Sequence, residues 1–177
     1  MGYDIPATIG ACFPKKKIKK KKNIICITGD GSFQFNFQEL QLINHHKLNA
    51  NIFVINNDGY SSMKQSQSNF TKNIGYHGVD PKSGISFPSL KKISYVYNFK
   101  YIKAGNIKIL KKILNKINYK KNHIIEIFVD PNINFEPKVS STLNKSGKFV
   151  LDNLYDMTPK IPREKLNSLI QIPKKIS

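Results

Sequence analysis

The 177-residue chain predicts an α/β fold: a parallel sheet with helices on both faces, in three layers. Three observations carry this. Ile24-Ile25-Cys26-Ile27-Thr28 and Ile52-Phe53-Val54-Ile55 are short, β-branched runs bounded by Gly or Asn, the pattern of buried strands. Between them Phe33, Phe37, Leu40 and Ile43 recur at helical spacing. Further along, helical stretches again alternate with short apolar runs, at 100–103 and 123–129. Strand, helix, strand makes a βαβ unit, whose strands run parallel with a right-handed crossover. Strands buried on both faces imply helices above and below.

Taken in order, Met1 to Phe13 reads as a helix, because Pro6 suits a first turn and Ala7, Ala11, Cys12 and Phe13 give it a small, apolar character. Lys15 to Lys22, seven Lys and one Ile, is expected to be a solvated loop, since like charges this dense repel; a localisation or polyanion-binding patch is the other reading. Strands 24–28 and 52–56 flank the first crossover helix, which ends at His45 and His46. Those two histidines lack a partner at metal spacing and read as structural or exposed. Glu39, on the same helix, reads as a helix support or a contact with a neighbouring domain rather than a general base. Tyr60 to Phe70 is expected to start as a helix and continue as a polar loop. The segment from Thr71 to Phe87 has no periodicity and reads as an ordered loop or a lid. Pro88 opens a helix with Leu90, Ile93, Val96 and Tyr97 on one side. Ile107, Leu110, Ile113, Leu114 and Ile117 mark another. Residues 1–135 form the expected α/β domain, and residues 136–177 a C-terminal tail.

Two polar clusters sit where the first two strands end. Gly29-Asp30-Gly31 is followed by twenty-four residues and then Asn56-Asn57-Asp58-Gly59. Open α/β sheets bind ligands at the carboxyl ends of their strands. Asp30 offers an anionic oxygen, Asn57 an amide oxygen and Gly59 a backbone carbonyl. Three such oxygens leave the other positions of a small cation to phosphate and water, the usual mode of Mg²⁺. Gly29 and Gly31 let the backbone approach a phosphate, and Ser32 begins a helix whose amides can donate to it. The residues alone leave a second reading open, in which both clusters are tight βα turns and nothing more.

Gly-Asp-Gly, a spacer in the mid-twenties and Asn-Asn together resemble the signature of thiamine diphosphate-dependent enzymes. Gly29-Asp30-Gly31-Ser32-Phe33-Gln34, Gln38-Glu39-Leu40-Gln41 and Asn56-Asn57-Asp58-Gly59-Tyr60 are similar to the acetolactate synthase-like branch, as is Met1-Gly2-Tyr3-Asp4-Ile5-Pro6-Ala7. The likeness covers roughly residues 1–135 and corresponds to the C-terminal, diphosphate-binding domain. It implies thiamine diphosphate and Mg²⁺ as cofactors, with Asp30, Asn57 and Gly59 as metal ligands. It further implies that Gly29, Gly31, Ser32 and the backbone around Tyr60, Ser61 and Ser62 face the diphosphate, and that Met1 props the bent cofactor. Lys64 stands where the branch often has Arg. The branch has a Gly two residues before that Met, whose carbonyl faces the aminopyrimidine; here the sequence opens at Met1.

The resemblance also sets the limits of the expected function. Family sites lie between a pyrimidine domain, which supplies the Glu that promotes ylid formation, and the diphosphate domain. No catalytic residue is therefore assigned within this chain. The expectation is the diphosphate half of a 2-oxo acid decarboxylase or carboligase, as a fragment or one chain of a split enzyme. A pyrimidine-domain chain or second subunit would be its partner in an oligomer, and family tails of this kind run over the surface and often touch another subunit. A remnant without catalysis, or a basic binding module, is the alternative.

Composition narrows the class. Hydrophobic residues make up 40% of the chain, as in ordinary globular proteins, and no apolar run reaches membrane-spanning length. No signal peptide is visible, so the cytoplasm is the expected compartment. Cys12 and Cys26 have no metal or redox spacing and read as buried apolar residues. The formal charge is +18, yet Arg163 is the only arginine among 29 basic residues. Nucleic-acid readers use arginine forks as well. Lys, Asn and Ile are abundant in every kind of segment, so the charge reads as a coding bias, not as selected nucleic-acid binding.

Overall fold

The computed structural model describes residues 1–13, 23–70, 75–144 and 146–169. The chain divides into two compact units, Met1–Ile133 and Asn134–Ser177. In the first, four strands form one sheet: β1 (Ile24–Gly29), β2 (Ala50–Asn56), β3 (Lys100–Ala104) and β4 (His123–Phe128). Their order is β1-β2-β4-β3 and every pairing is parallel. The expected α/β parallel sheet is what forms. Helices α1 (Asp4–Cys12), α3 (Leu40–His45) and α5 (Leu90–Val96) close one face. Ile5, Ile9, Leu40, Ile43 and Ile93 pack there on Cys26, Ile52, Val54 and Ile124. The period of two explains the selection: these strand residues alternate with neighbours that point to the other face. That second face carries α6 (Ile107–Lys116), whose Ile109 and Ile113 line one cavity with Ile102 of β3. Among the described residues no helix is long and apolar enough to cross a membrane.

The first crossover differs from the continuous helix that periodicity predicts. It is a short helix α2 (Asp30–Phe33), a 3₁₀ turn (Phe37–Glu39) and then α3. Asn36 causes the break: its φ is −141°, and its side chain donates to the Gly2 carbonyl at 2.5 Å. An Asn side chain bonded elsewhere competes with helix continuation. The helix also begins at Asp30 rather than at Ser32. Helix α4 (Ser61–Phe70) spans the stretch expected to become a polar loop. Its Ser- and Gln-rich sequence has no apolar stripe, so hydrophobic periodicity could not reveal it. Gln67 instead clamps the following loop through its side chain, donating to the His77 carbonyl and accepting from the His77 N–H, both at 3.0 Å. Within that loop Asp80 caps a 3₁₀ turn (Pro81–Ser83). Ser89, not Pro88, caps α5, accepting from Lys92 N–H at 3.4 Å. Cys26 is buried as expected, but Cys12 is only half-buried. The Lys15 to Lys22 run lies outside the described residues. The second unit contains more regular structure than its sequence pattern suggests: an antiparallel hairpin, β5 (Ser141–Leu143) with β6 (Phe149–Leu151), and helix α7 (Arg163–Leu169).

At the amino end of the sheet, His123 is 2% exposed and its Nδ1 lies 2.8 Å from Asn51 Oδ1. Burial pushes its pKa below the ordinary histidine value. The unfolded chain then binds a proton that the folded chain resists, so this contribution to stability is complete above about pH 6.5 and fades as the pH falls towards the folded pKa. Thermal melts from pH 8 to pH 5 should show Tm declining below about 6.5. A His123→Gln variant should show a shallower decline over that interval, and an equally steep one would remove His123 as its source.

Candidate functional site

The parallel register brings the two polar clusters together. Gly29 pairs with Ile55 across β1 and β2, so both strands end at one edge. Asp30, the first residue past β1, is 5% exposed. Its Oδ1 accepts from Gly31 N–H at 2.8 Å and its Oδ2 from Gly59 N–H at 3.2 Å, twenty-nine residues away. Burial raises the Asp30 pKa, while the surrounding backbone N–H groups pull it back. A carboxylate so placed gains from a positive charge beside it.

The turn after β2 presents the other oxygens. Asp58 adopts a left-handed φ of 57°, and its N–H donates to Asn56 Oδ1 at 2.9 Å. Asn and Asp tolerate this conformation better than other side chains, which is why this sequence turns here. One terminal atom of the Asn57 amide stands 2.7 Å from Gly59 O and 3.3 Å from Asp30 Oδ1. The other stands 2.7 Å from Ser61 Oγ. Asp30, Asn57 and the Gly59 carbonyl thus converge on one point. Among the described residues no three His, Cys, Asp or Glu side chains gather into a metal-holding group, here or elsewhere. One carboxylate, one amide and one carbonyl suit a hard cation such as Mg²⁺ and not a soft one.

The other predicted site residues surround this point to differing degrees. The Tyr60 ring lies against Gly31, where an added Cβ would come within 2.2 Å of ring atom Cε1. Only glycine fits beneath that ring. Ser32 Oγ accepts from Gly2 N–H at 2.8 Å, which ties the amino-terminal segment to the first cluster. Met1 itself is 75% exposed and Ser62 is exposed. Gly29 ends β1, and Ser61 opens α4 at 8% exposure. Lys64 pairs with Asp80 at 3.2 Å. Glu39 sits in the 3₁₀ turn before α3, half-buried.

Sequence reasoning missed Glu126. It is 7% exposed on β4, its Oε1 accepts from Asn56 Nδ2 at 2.6 Å, and its Oε2 accepts from the Tyr101 hydroxyl. Because Asn56 Oδ1 holds the Asp58 N–H, Glu126 braces the turn that carries Asn57 and Gly59. The signal was present: a lone carboxylate inside the apolar run His123-Ile124-Ile125-Glu126-Ile127-Phe128 must have buried partners. Burial, and then the Glu126 carboxylate, push the Tyr101 pKa well above its ordinary value. Asp30, Asn56, Asp58, Phe87 and Glu126 line a cleft of about 250 Å³. Glu126→Gln keeps the volume but offers one oxygen to two donors. It should cost about 1–3 kcal/mol in urea unfolding. Tyr101→Phe in that background should recover part of the loss, and no recovery would show that the hydroxyl is not the stranded donor.

A parallel α/β sheet with an oxygen cluster at the carboxyl ends of its first two strands belongs to the class of open α/β domains that bind ligands at that edge. The profile described as "Thiamine pyrophosphate enzyme, C-terminal TPP binding domain" matches residues 1–127, and the chain belongs to that family. The family's cofactor is thiamine diphosphate, with Mg²⁺ its usual metal. The chain is 29% identical over 144 residues to the acetolactate synthase large subunit of Lactococcus lactis subsp. lactis (strain IL1403), covering 81% of this chain and 24% of that protein. It is 36% identical over 117 residues to the acetolactate synthase large subunit of Cyanidium caldarium, covering 66% and 19%. A pyruvate decarboxylase of Aspergillus parasiticus is 42% identical over 89 residues, covering 46% and 15%. The acetolactate synthase-like resemblance therefore holds. The crystal structure of benzoylformate decarboxylase from Polynucleobacter necessarius superposes with a TM-score of 0.64 at 21% identity, over 75% of this chain and 24% of that one, a likeness of fold. The chain spans about a quarter or less of the length of these proteins.

Proposed function

We propose that this chain is the diphosphate- and Mg²⁺-binding half of a thiamine diphosphate-dependent enzyme acting on a 2-oxo acid, by decarboxylation or carboligation. The observation that carries the reading is the convergence of Asp30, Asn57 and the Gly59 carbonyl at the carboxyl edge of a parallel sheet. In this reading those three oxygens would hold the cation that accompanies the diphosphate. Ser32 and the first turn of α4 would line the approach, with backbone N–H groups suited to anionic oxygens, while the Gly31 N–H stays on Asp30 Oδ1. Thiamine diphosphate, once bound, supplies an electron sink for carbon–carbon bond cleavage and formation. The chain's own residues bind and orient. Asp30 supplies charge, Glu126 and Tyr101 stiffen the Asn56–Asp58 turn, and Tyr60 fixes the backbone at Gly31. The acid–base group of the pyrimidine side would come from a pyrimidine domain beyond these 177 residues or from a second subunit.

Calorimetry tests the binding step. Thiamine diphosphate should bind with Mg²⁺ present and lose most of its affinity in EDTA; binding indifferent to EDTA would contradict the cation site. Activity tests the rest. Pyruvate with the chain, cofactor and Mg²⁺ should release carbon dioxide only after a pyrimidine-domain chain is added. Turnover by the chain alone would show a base within it, with Glu39 the first to replace.

A further inference from the structure

We propose that Asn57 is a two-position amide latch that couples cation binding to anion binding through the Ser61 hydroxyl. The inference rests on the cation site proposed above and concerns how that site changes when filled. An amide's two orientations have nearly the same shape and are told apart only by their partners. With Nδ2 towards the cluster, it donates to Gly59 O at 2.7 Å and to Asp30 Oδ1 at 3.3 Å, while Oδ1 accepts the Ser61 hydroxyl proton at 2.7 Å. Every polar atom named is then matched without a cation. With Oδ1 towards the cluster, two acceptors stand 2.7 Å apart with no proton between them. That orientation needs a positive charge, and it is the one that completes an oxygen cage. The cation state therefore selects the amide orientation.

The turn of the amide changes what Ser61 offers. A hydroxyl can donate one proton and can also accept. In the cation-free orientation its proton is committed to Asn57 Oδ1. In the other, Nδ2 donates to Ser61 Oγ, and the proton is left without that acceptor. In the cleft that Ser61 lines, an anionic oxygen is a stronger acceptor for that proton than water. Ser61 lines a cleft of about 240 Å³ with Gly59, Lys64, Asp80 and Lys82. Asp58 lines the same cleft and Asp80 already holds Lys64 at 3.2 Å, so the freed hydroxyl proton is the donor that the cleft gains for a phosphate oxygen. The chain thus disfavours the cation until the anion arrives, and offers the anion its hydroxyl only after the cation has arrived. Coupling of this kind is reciprocal.

Ser61→Ala gives two effects of opposite sign. Removing the hydroxyl removes the proton that lacks an acceptor in the turned state, so Mg²⁺ alone should bind a few-fold tighter. It also removes the donor to the anion, so inorganic pyrophosphate in saturating Mg²⁺ should bind up to about tenfold weaker. Isothermal titration with Mg²⁺ alone, then with pyrophosphate at saturating Mg²⁺, reads both. Ser61→Thr, which keeps the hydroxyl, should behave as wild type. A Ser61→Ala chain in which both affinities fall together, or in which Mg²⁺ affinity is unchanged, overturns the latch while leaving the cation site standing. A wild-type chain that takes up no Mg²⁺ under either condition overturns the site and the latch with it.

Discussion

An Asp30→Asn chain is expected to lose Mg²⁺-dependent binding of thiamine diphosphate by more than about 100-fold. Replacing a residue that merely orients a metal ligand commonly costs 10- to 100-fold, and Asp30 is in this reading the ligand itself. It is also the sole charged group of the three that converge. The Asn substitution keeps the shape and an oxygen for one of the two N–H groups that Asp30 now accepts, from Gly31 and Gly59. Asp30→Ala would leave both donors unmatched at a buried position and mix a stability loss of about 1–3 kcal/mol into the result. Calorimetry in saturating Mg²⁺, with circular dichroism to show that the fold is kept, makes the measurement. Equal affinity in the Asn variant would remove Asp30 from the site.

Gly59→Ala should be the most damaging single methyl in the α/β unit. A Cβ there would fall 2.2 Å from the Val79 carbonyl oxygen. The obstacle is backbone, held by a 2.7 Å hydrogen bond from Tyr60 N–H to that same oxygen. No rotamer change relieves it, so the chain must separate at this point. Overpacking commonly costs about 1–3 kcal/mol and occasionally more. The shift would also displace the Gly59 carbonyl from the cluster. Urea unfolding should show a loss of at least about 2 kcal/mol, and calorimetry a loss of cation-dependent binding. Gly84→Ala makes a useful contrast: its φ is 105°, but nothing lies within 4 Å of the added Cβ, so only backbone strain of about 1–3 kcal/mol is expected, without loss of binding. Wild-type stability in Gly59→Ala would mean that the Val79 segment yields easily.

The sheet was legible because its first two strands are short runs dense in Ile, Phe and Val, bounded by Gly or Asn. Strand edges moved by only a residue or two, as with β2, which begins at Ala50 rather than at Ile52. Helix α4 was legible only at its start, since a polar helix rich in Ser and Gln leaves no hydrophobic trace. Nor was the break at Asn36, whose cause is a hydrogen bond to Gly2, thirty-four residues away in sequence. The convergence of Asp30 with Asn57 and Gly59 could be anticipated from the motif spacing. The role of Glu126 could not, because its partners Asn56 and Tyr101 are seventy and twenty-five residues distant and meet only in the folded sheet. Local pattern reveals elements; bonds that cross the sheet are set by register.

The pairing of Gly29 with Ile55 has a consequence for folding itself. The oxygens at the carboxyl edge belong to different strands, so an unfolded chain has no half-formed version of this cluster to offer a ligand. Whatever binds there binds only after β1 and β2 have docked in register, and it then resists their separation. A ligand present at one hundred times its Kd adds about 2.7 kcal/mol to the unfolding free energy of such a unit. Cofactor supply would thus act as a folding signal: chains made in its presence would be held in the sheet, and chains made without it would spend more time open to proteolysis.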